Sequence, residues 1–382
     1  MPVGFGCYGS PTYKLMKPKE QADDWVWIID HTVQLGEEKC LLILGVRLSH
    51  LASDLTLKQA EVEPIALYPV SRSKGEVVFQ QLEETIEKTG LLRAIVVDQG
   101  ADLKSAIEAF IPAHPTTSYL YDIKHKTATL LKQHLQNDDT WKRFTQLAAQ
   151  SQSQVQQTAL AFLAPPNQRT KARYMNLEIL VRWSLRALGL LDQIAERTAT
   201  RESHEKIKTK LGWLTEFREP LKEWDALCQS AITAERFVRK QGLCKGCEVE
   251  LAHCFNPSVQ APKALQFRHQ LLDFVKNESL KARPNERLLG SSEIIESVLG
   301  KTKRLEQDQS KSGFTGLVLG AAAMVSHTTQ EVVTKAMEAV PTRKVIGWIK
   351  ENLGQSVQSK RNIVFSTTQN AEQKRVQLLN SI

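Results

Sequence analysis

Read for apolar and polar alternation, the chain has a β-rich beginning and a long helical remainder. Residues 1–20, rich in Gly, Pro and Lys, read as an arm. From Trp25 an unbroken apolar run, Trp25-Val26-Trp27-Ile28-Ile29, leads to Asp30, and Cys40-Leu41-Leu42-Ile43-Leu44-Gly45-Val46 makes a second run. Continuous apolar stretches of this length predict strands buried on both faces. The short polar turn at Gly36-Glu37-Glu38 makes them antiparallel neighbours. Val62 to Val70 predicts a third strand, and its prolines, Pro64 and Pro69, suit a sheet edge.

Ser73-Lys74-Gly75-Glu76 then opens a helix carrying Val77, Val78, Leu82 and Ile86 at helical spacing, with Gly90 as its cap. A fourth strand fits Leu92 to Val97 with Asp98 at its end. A helix follows from Ala101 to Phe110, broken by Pro112 and Pro115, and Ser118 to Tyr121 is a fifth strand ending at Asp122. The order βββαβαβ is a mixed α/β layout, whose ligands belong beyond the carboxyl ends of the parallel strands. Asp98 and Asp122 fall there.

After His134 the β signal stops. Residues 136–285 read as helical, with the stripe Leu177, Leu180, Val181, Ser184, Leu185 and Leu188 and four tryptophans that suit a core. A last helical section opens at Gly290-Ser291-Ser292-Glu293, with Ser291 or Ser292 as N-cap. Ile295, Val298, Leu299 and Thr302 form its buried stripe, and Glu296, Gly300 and Lys303 share the adjoining face. An alanine-rich segment and two helices around Pro341 follow, then a polar tail over 356–382. The expected parts are an arm (1–20), a core in two pieces (21–135 and 286–355), a helical insertion (136–285) and the tail.

Composition narrows the function. A chain of 382 residues exceeds one simple core. The formal charge of +8 favours a polyanionic partner, because Lys and Arg bind phosphate backbones by releasing counterions. Between Arg169 and Arg218 eleven basic residues face six acids, which reads either as a solvated face or as a platform along nucleic acid. Six cysteines make a disulfide scaffold unexpected and fit a reducing cytoplasm. No stretch reaches the length of a membrane span, and Met1 to Gly6 lacks the marks of a secretory signal. Cys244-Lys245-Gly246-Cys247 with His253-Cys254 has the ingredients of a zinc site, although ordinary cysteines are the default and the adjacent second pair makes tetrahedral ligation awkward.

The chemistry lies in acids delivered by hydrophobic elements. Asp30 ends a buried run, Asp98 ends another, and Glu296 or Glu293 rides a helix packed by its apolar stripe. Glu296 is preferred, because Glu293 stands in the first turn, where the helix dipole favours an acid anyway. Paired divalent ions about 4 Å apart need carboxylates converging from separate elements in this way. Taken alone, Asp98-Gln99-Gly100 is also a plain strand-to-helix turn, and Asp122 a plain helix cap.

Trp25 to Thr32, Ile95-Val96-Val97-Asp98-Gln99-Gly100-Ala101-Asp102-Leu103, and Ser291 to Lys303 together resemble the DDE transposases of bacterial insertion sequences. Tyr121-Asp122-Ile123-Lys124-His125-Lys126 joins the resemblance, since such enzymes often place an acid and a His after the fifth strand. The resemblance covers roughly residues 20–135 and 286–330. It implies a ribonuclease H-like mixed sheet flanked by helices and interrupted by a large all-α insertion. It further implies catalytic and metal-holding roles for Asp30, Asp98 and Glu296 with two Mg2+ ions, Mn2+ being able to substitute. Asp122, Lys124, His125, Lys126, Lys301 and Lys303 become DNA-binding or supporting residues. Double-stranded DNA, both mobile-element ends and target, becomes the partner of a homo-oligomer in the cytoplasm at the nucleoid. Such transposases usually carry a helix-turn-helix domain ahead of the core, whereas here the core begins by about residue 24. A structure-specific nuclease on the same core, or an inactive transposase-derived DNA-binding protein, would share the acids.

Overall fold

The structure is a computed structural model that describes residues 15, 17–31, 39–70, 73–168, 173–196, 202–307, 325 and 330–352. The expected turn at Gly36 to Glu38, the alanine-rich segment, the tail from residue 356 and most of the arm lie outside these residues.

Five strands, β1 (Trp25–His31), β2 (Lys39–Arg47), β3 (Glu63–Val70), β4 (Leu92–Val97) and β5 (Ser118–Tyr121), form one mixed sheet. Its order is β3-β2-β1-β4-β5, with β1, β2 and β3 antiparallel in succession and β1, β4 and β5 parallel. β3 lies at the edge, with Pro64 opposite Leu44 and Pro69 opposite Cys40. Helices α1 (Gly75–Thr89) and α2 (Ala101–Ala113) make the crossovers that parallel strands require. Trp25, Trp27 and Ile29 of β1 pack with Ile95 and Val97 of β4, Val78 and Leu82 of α1, and Ala106, Ile107 and Phe110 of α2. Strand residues of the alternate parity leave by the other face of the sheet. The α2 helix departs from expectation by continuing through Pro112 to Ala113. The proline falls in the last turn, and the His114 N–H closes that turn on the Phe110 and Ile111 carbonyls.

The chain divides into two compact units, one made of Met1–Asp122 with Leu289–Ile382 and the other of Ile123–Leu288. The second unit holds α3 (Ile123–Leu135), α4 (Asp139–Val155), α5 (Leu177–Ala195), α6 (Glu202–Leu211), α7 (Arg218–Gln241), α8 (Cys247–Cys254) and α9 (Pro262–Ser279). Trp141 and Trp224 meet edge to face at 4.8 Å, with Phe144 and Phe217 beside them, so these indoles are core. Asp138 caps α4 by accepting the Thr140 and Trp141 N–H groups, and Lys263 reaches it at 2.9 Å. Part of the basic surface is already paired, Arg218 with Asp192 and Lys208 with Glu205.

Back in the first unit come α10 (Glu293–Gln307), α11 (Gln330–Ala339) and α12 (Thr342–Asn352). The predicted stripe of α10 is buried at Ile295, Val298 and Leu299, while the side chains of Thr302 and Lys303 lie outside the described residues. No helix among the described residues is long and apolar enough to cross a membrane.

Candidate active site

In the parallel ladders, Ile28 stands opposite Val96 and Ile29 opposite Val97, while Val96 stands opposite Leu120 and Val97 opposite Tyr121. One residue further along each strand, at unchanged offsets, come Asp30, Asp98 and Asp122. The Asp122 N–H donates to the Val97 carbonyl at 3.2 Å, which carries the ladder to that level. Adjacent strands run about 4.8 Å apart, so the register lines the three acids up across the carboxyl ends of β1, β4 and β5. Because Ile29 and Val97 point into the core under α1 and α2, the acids that follow them share the opposite face.

Each acid is held differently. Asp30 is half-buried at the end of its strand, across from Leu42 on β2. Asp98 is half-buried and accepts the Gly100 N–H at 2.9 Å, the turn that starts α2. A Cβ on Gly100 would stand 3.1 Å from Asp98 Oδ1 and 3.3 Å from Asp102 Oδ1, so the missing side chain keeps the turn tight against both acids. Asp122 is fully buried and accepts the Ser292 N–H at 2.6 Å. Ser292 is the residue from which α10 springs, its carbonyl receiving the Ile295 and Glu296 N–H groups. That bond brings Glu296 alongside the row: its carboxylate offers an oxygen within 4.8 Å of one from Asp122.

The remaining candidates are placed as follows. Glu293 is half-buried, its N–H donating to Ser291 Oγ at 3.3 Å. Lys301 is exposed and donates to Gln59 at 2.8 Å. Lys124, His125 and Lys126 belong to the first turn of α3 in the second unit, all half-buried, with the Lys126 ammonium 5.4 Å from the centre of the Phe274 ring. Cys247 is buried at the start of α8, whereas His253 and Cys254 are exposed at its end. Among the described residues these do not gather into a metal-binding group.

Behind Asp30, on the core face, His31 Nε2 lies 3.1 Å from Ser73 Oγ, and Ser73 donates to Asp102 Oδ2 at 2.5 Å. This chain of contacts ties the end of β1 to the first turn of α2 and escaped the sequence reading, because nothing in the spacing of His31, Ser73 and Asp102 announces it. The partner of Asp122 escaped it too, since Ser292 lies far along the chain.

No family model matches the chain, and no curated protein matches it. Among solved structures it is similar to one titled "Drosophila P element transposase strand transfer complex", at 13% identity and a TM-score of 0.35, covering 81% of this chain and 78% of that one. At that distance the likeness says nothing about activity.

Proposed function

We propose that the protein is a metal-dependent DNA transposase with a ribonuclease H-like core, in which Asp30, Asp98 and Glu296 hold the metal. The observation that carries this reading is the shared strand register of Asp30 and Asp98, with the helix bearing Glu296 tied beside it through Asp122. Carboxylates are hard oxygen donors, and a set drawn from two strands and a helix suits Mg2+ or Mn2+ better than softer metals. Bound there, such ions supply Lewis acidity and lower the pKa of a coordinated water.

The side chains divide the work. Asp30 and Asp98 project from adjacent strands buried in the sheet, so their carboxylates are pre-positioned at little entropic cost. Asp122 is a positioning residue that holds the first turn of α10 and so sets where Glu296 stands. His125 is proposed in a supporting role, and Lys124, Lys126, Lys301 and Lys303 in phosphate contact. The proposed reaction is hydrolysis of a phosphodiester at a mobile-element end, followed by attack of the freed 3′-hydroxyl on target DNA. The net charge of +8 favours double-stranded DNA as partner. A homo-oligomer on paired ends, at the nucleoid, completes the proposal.

A structure-specific nuclease on the same core would use the same acids without joining strands, and an inactive DNA-binding derivative would do neither. A Mg2+-dependent assay scoring nicking and joining on DNA carrying the element ends separates the three. Asp30→Asn and Asp98→Asn should each lower nicking at least about a thousandfold while DNA binding and fold persist. Wild-type nicking in either variant rejects the assignment.

A further inference from the structure

We propose that Cys244 and Cys247 form a reversible dithiol–disulfide pair, oxidised by small disulfides of the glutathione class.

The backbone between them is a closed turn. The Cys247 N–H donates to the Cys244 carbonyl at 3.0 Å, and Gly246 has φ 86° and ψ −2°. Those angles are the third-position values of a type II turn, which need a glycine, and such a turn holds its outer Cα atoms closer than about 7 Å. A disulfide asks for a Cα separation of about 4.4–6.8 Å, so closing the bond requires little backbone movement.

The turn is braced on both sides. Leu243, just before Cys244, exchanges backbone hydrogen bonds of 2.8 and 2.9 Å with Leu288, and Cys247 opens α8. The thiols therefore need no ordering before they meet, which raises their effective concentration toward each other. Their exposures differ. Cys244 is half-buried and reachable, whereas Cys247 is fully buried and burial pushes its thiol up to about 11. Nucleophilic attack is a property of the thiolate, so the reachable Cys244 reacts first.

The exchange balances as follows. The Cys244 thiolate attacks one sulfur of the small disulfide, giving a mixed disulfide and releasing one small thiolate, which takes up the proton Cys244 lost. Cys247 then loses its proton and attacks the Cys244 sulfur, forming the internal bond and expelling the second small thiolate, which takes that proton. Two protein thiols are oxidised and one small disulfide is reduced.

The test needs only the full chain, and it does not rest on the proposed DNA chemistry. Protein equilibrated in glutathione buffers of stepped potential is quenched in acid, alkylated in denaturant, and mapped by peptide mass. The expected result is a peptide containing both cysteines that loses two hydrogens and escapes alkylation, reversibly on reduction, while the buried Cys40 and Cys228 remain alkylated. Cys247→Ser should trap the glutathione adduct on Cys244, and Cys244→Ser should leave Cys247 a free thiol. The proposal is overturned by both cysteines remaining alkylated in the most oxidising buffer. A stable adduct on Cys244 in the wild type, pairing of either cysteine elsewhere, or stoichiometric zinc protecting the pair would overturn it equally.

Discussion

Glu296→Gln keeps the shape of the α10 side chain and removes one charge, and its consequence differs with and without cation. The Glu296 and Asp122 carboxylates bring oxygens within 4.8 Å of each other, and Asp122 is fully buried. Two unit charges 4.8 Å apart repel by about 3.5 kcal/mol at an effective dielectric near 20. Neighbouring groups share the field, so the relief is a fraction of the pair repulsion. In EDTA the variant should thus be as stable as the wild type or more so, by up to about 3 kcal/mol. With Mn2+ at a hundred times its dissociation constant, the wild type should gain about 2.7 kcal/mol from binding alone. Removing one anionic ligand should weaken Mn2+ at least about tenfold, or about 1.4 kcal/mol. Urea unfolding in EDTA and across a Mn2+ series reads both effects, and calorimetric titration gives the affinity directly. A variant that loses 2 kcal/mol or more in EDTA, yet responds to Mn2+ like the wild type, would refute the reasoning. Glu296 would then be a structural acid matched to a cationic neighbour.

Other outcomes follow from single contacts. Asp122→Ala removes the acceptor of the buried Ser292 N–H, so unfolding should become easier by about 1–3 kcal/mol. Asp122→Asn, which keeps an accepting oxygen, should recover most of that loss in the same urea titration. Gly45→Ala places a Cβ 2.7 Å from Ile65 Cγ1 and 3.0 Å from the Trp25 ring, and the overpacked core should lose about 1–3 kcal/mol, read as a lower melting temperature. For Asp138, burial alone lifts the carboxyl, but the Lys263 ammonium and the N–H groups of Trp141 and Thr140 outweigh it and hold the group below the usual carboxylate range. A depressed folded pKa means its stabilisation is present above the unfolded value of about 3.9 and is lost as pH falls through the lower folded value. Asp138→Ala should therefore cost about 1–2 kcal/mol near neutral pH, and the gap to wild type should narrow in acid denaturation curves.

Burial on both faces is written into the apolar runs themselves, and for that reason the strands around Trp25 to Ile29, Leu41 to Val46 and Leu92 to Val97 could be read with good boundaries. The edge position of β3 was legible from Pro64 and Pro69, each lacking a donor for a second neighbour. Register was not legible. That Asp30 and Asp98 stand one step beyond paired residues depends on how β1 slides against β4, and local composition carries no record of that offset. Pro112 misled because a proline excludes helix only where its carbonyl partner one turn back needs a donor, and at the end of α2 the helix was finishing anyway.

Asp122 was the least legible of the acids, and the fold explains why it matters. The chain leaves the first unit at Asp122 and re-enters it at Leu289, with the whole of Ile123–Leu288 between. An acid at a strand end followed by a helix looks locally like an ordinary cap. Asp122 instead accepts the Ser292 N–H, three residues after re-entry and one before α10 begins. That bond closes the excursion where it opened. The position of Glu296 then depends on two points inside the first unit, the end of β5 and the first turn of α10, rather than on every joint of the helices in between. A buried carboxylate costs several kcal/mol unless it is paired or hydrogen-bonded, so the Ser292 N–H offsets part of the cost of burying Asp122. The same requirement that keeps Asp122 satisfied thus carries the helix acid to the row of strand acids. A chain rebuilt with a flexible linker in place of residues 123–288 should still show the Asp122–Ser292 amide protected from hydrogen exchange. Exchange of that amide at the rate of an open loop would mean that the helical unit, and not the bond, sets where Glu296 stands.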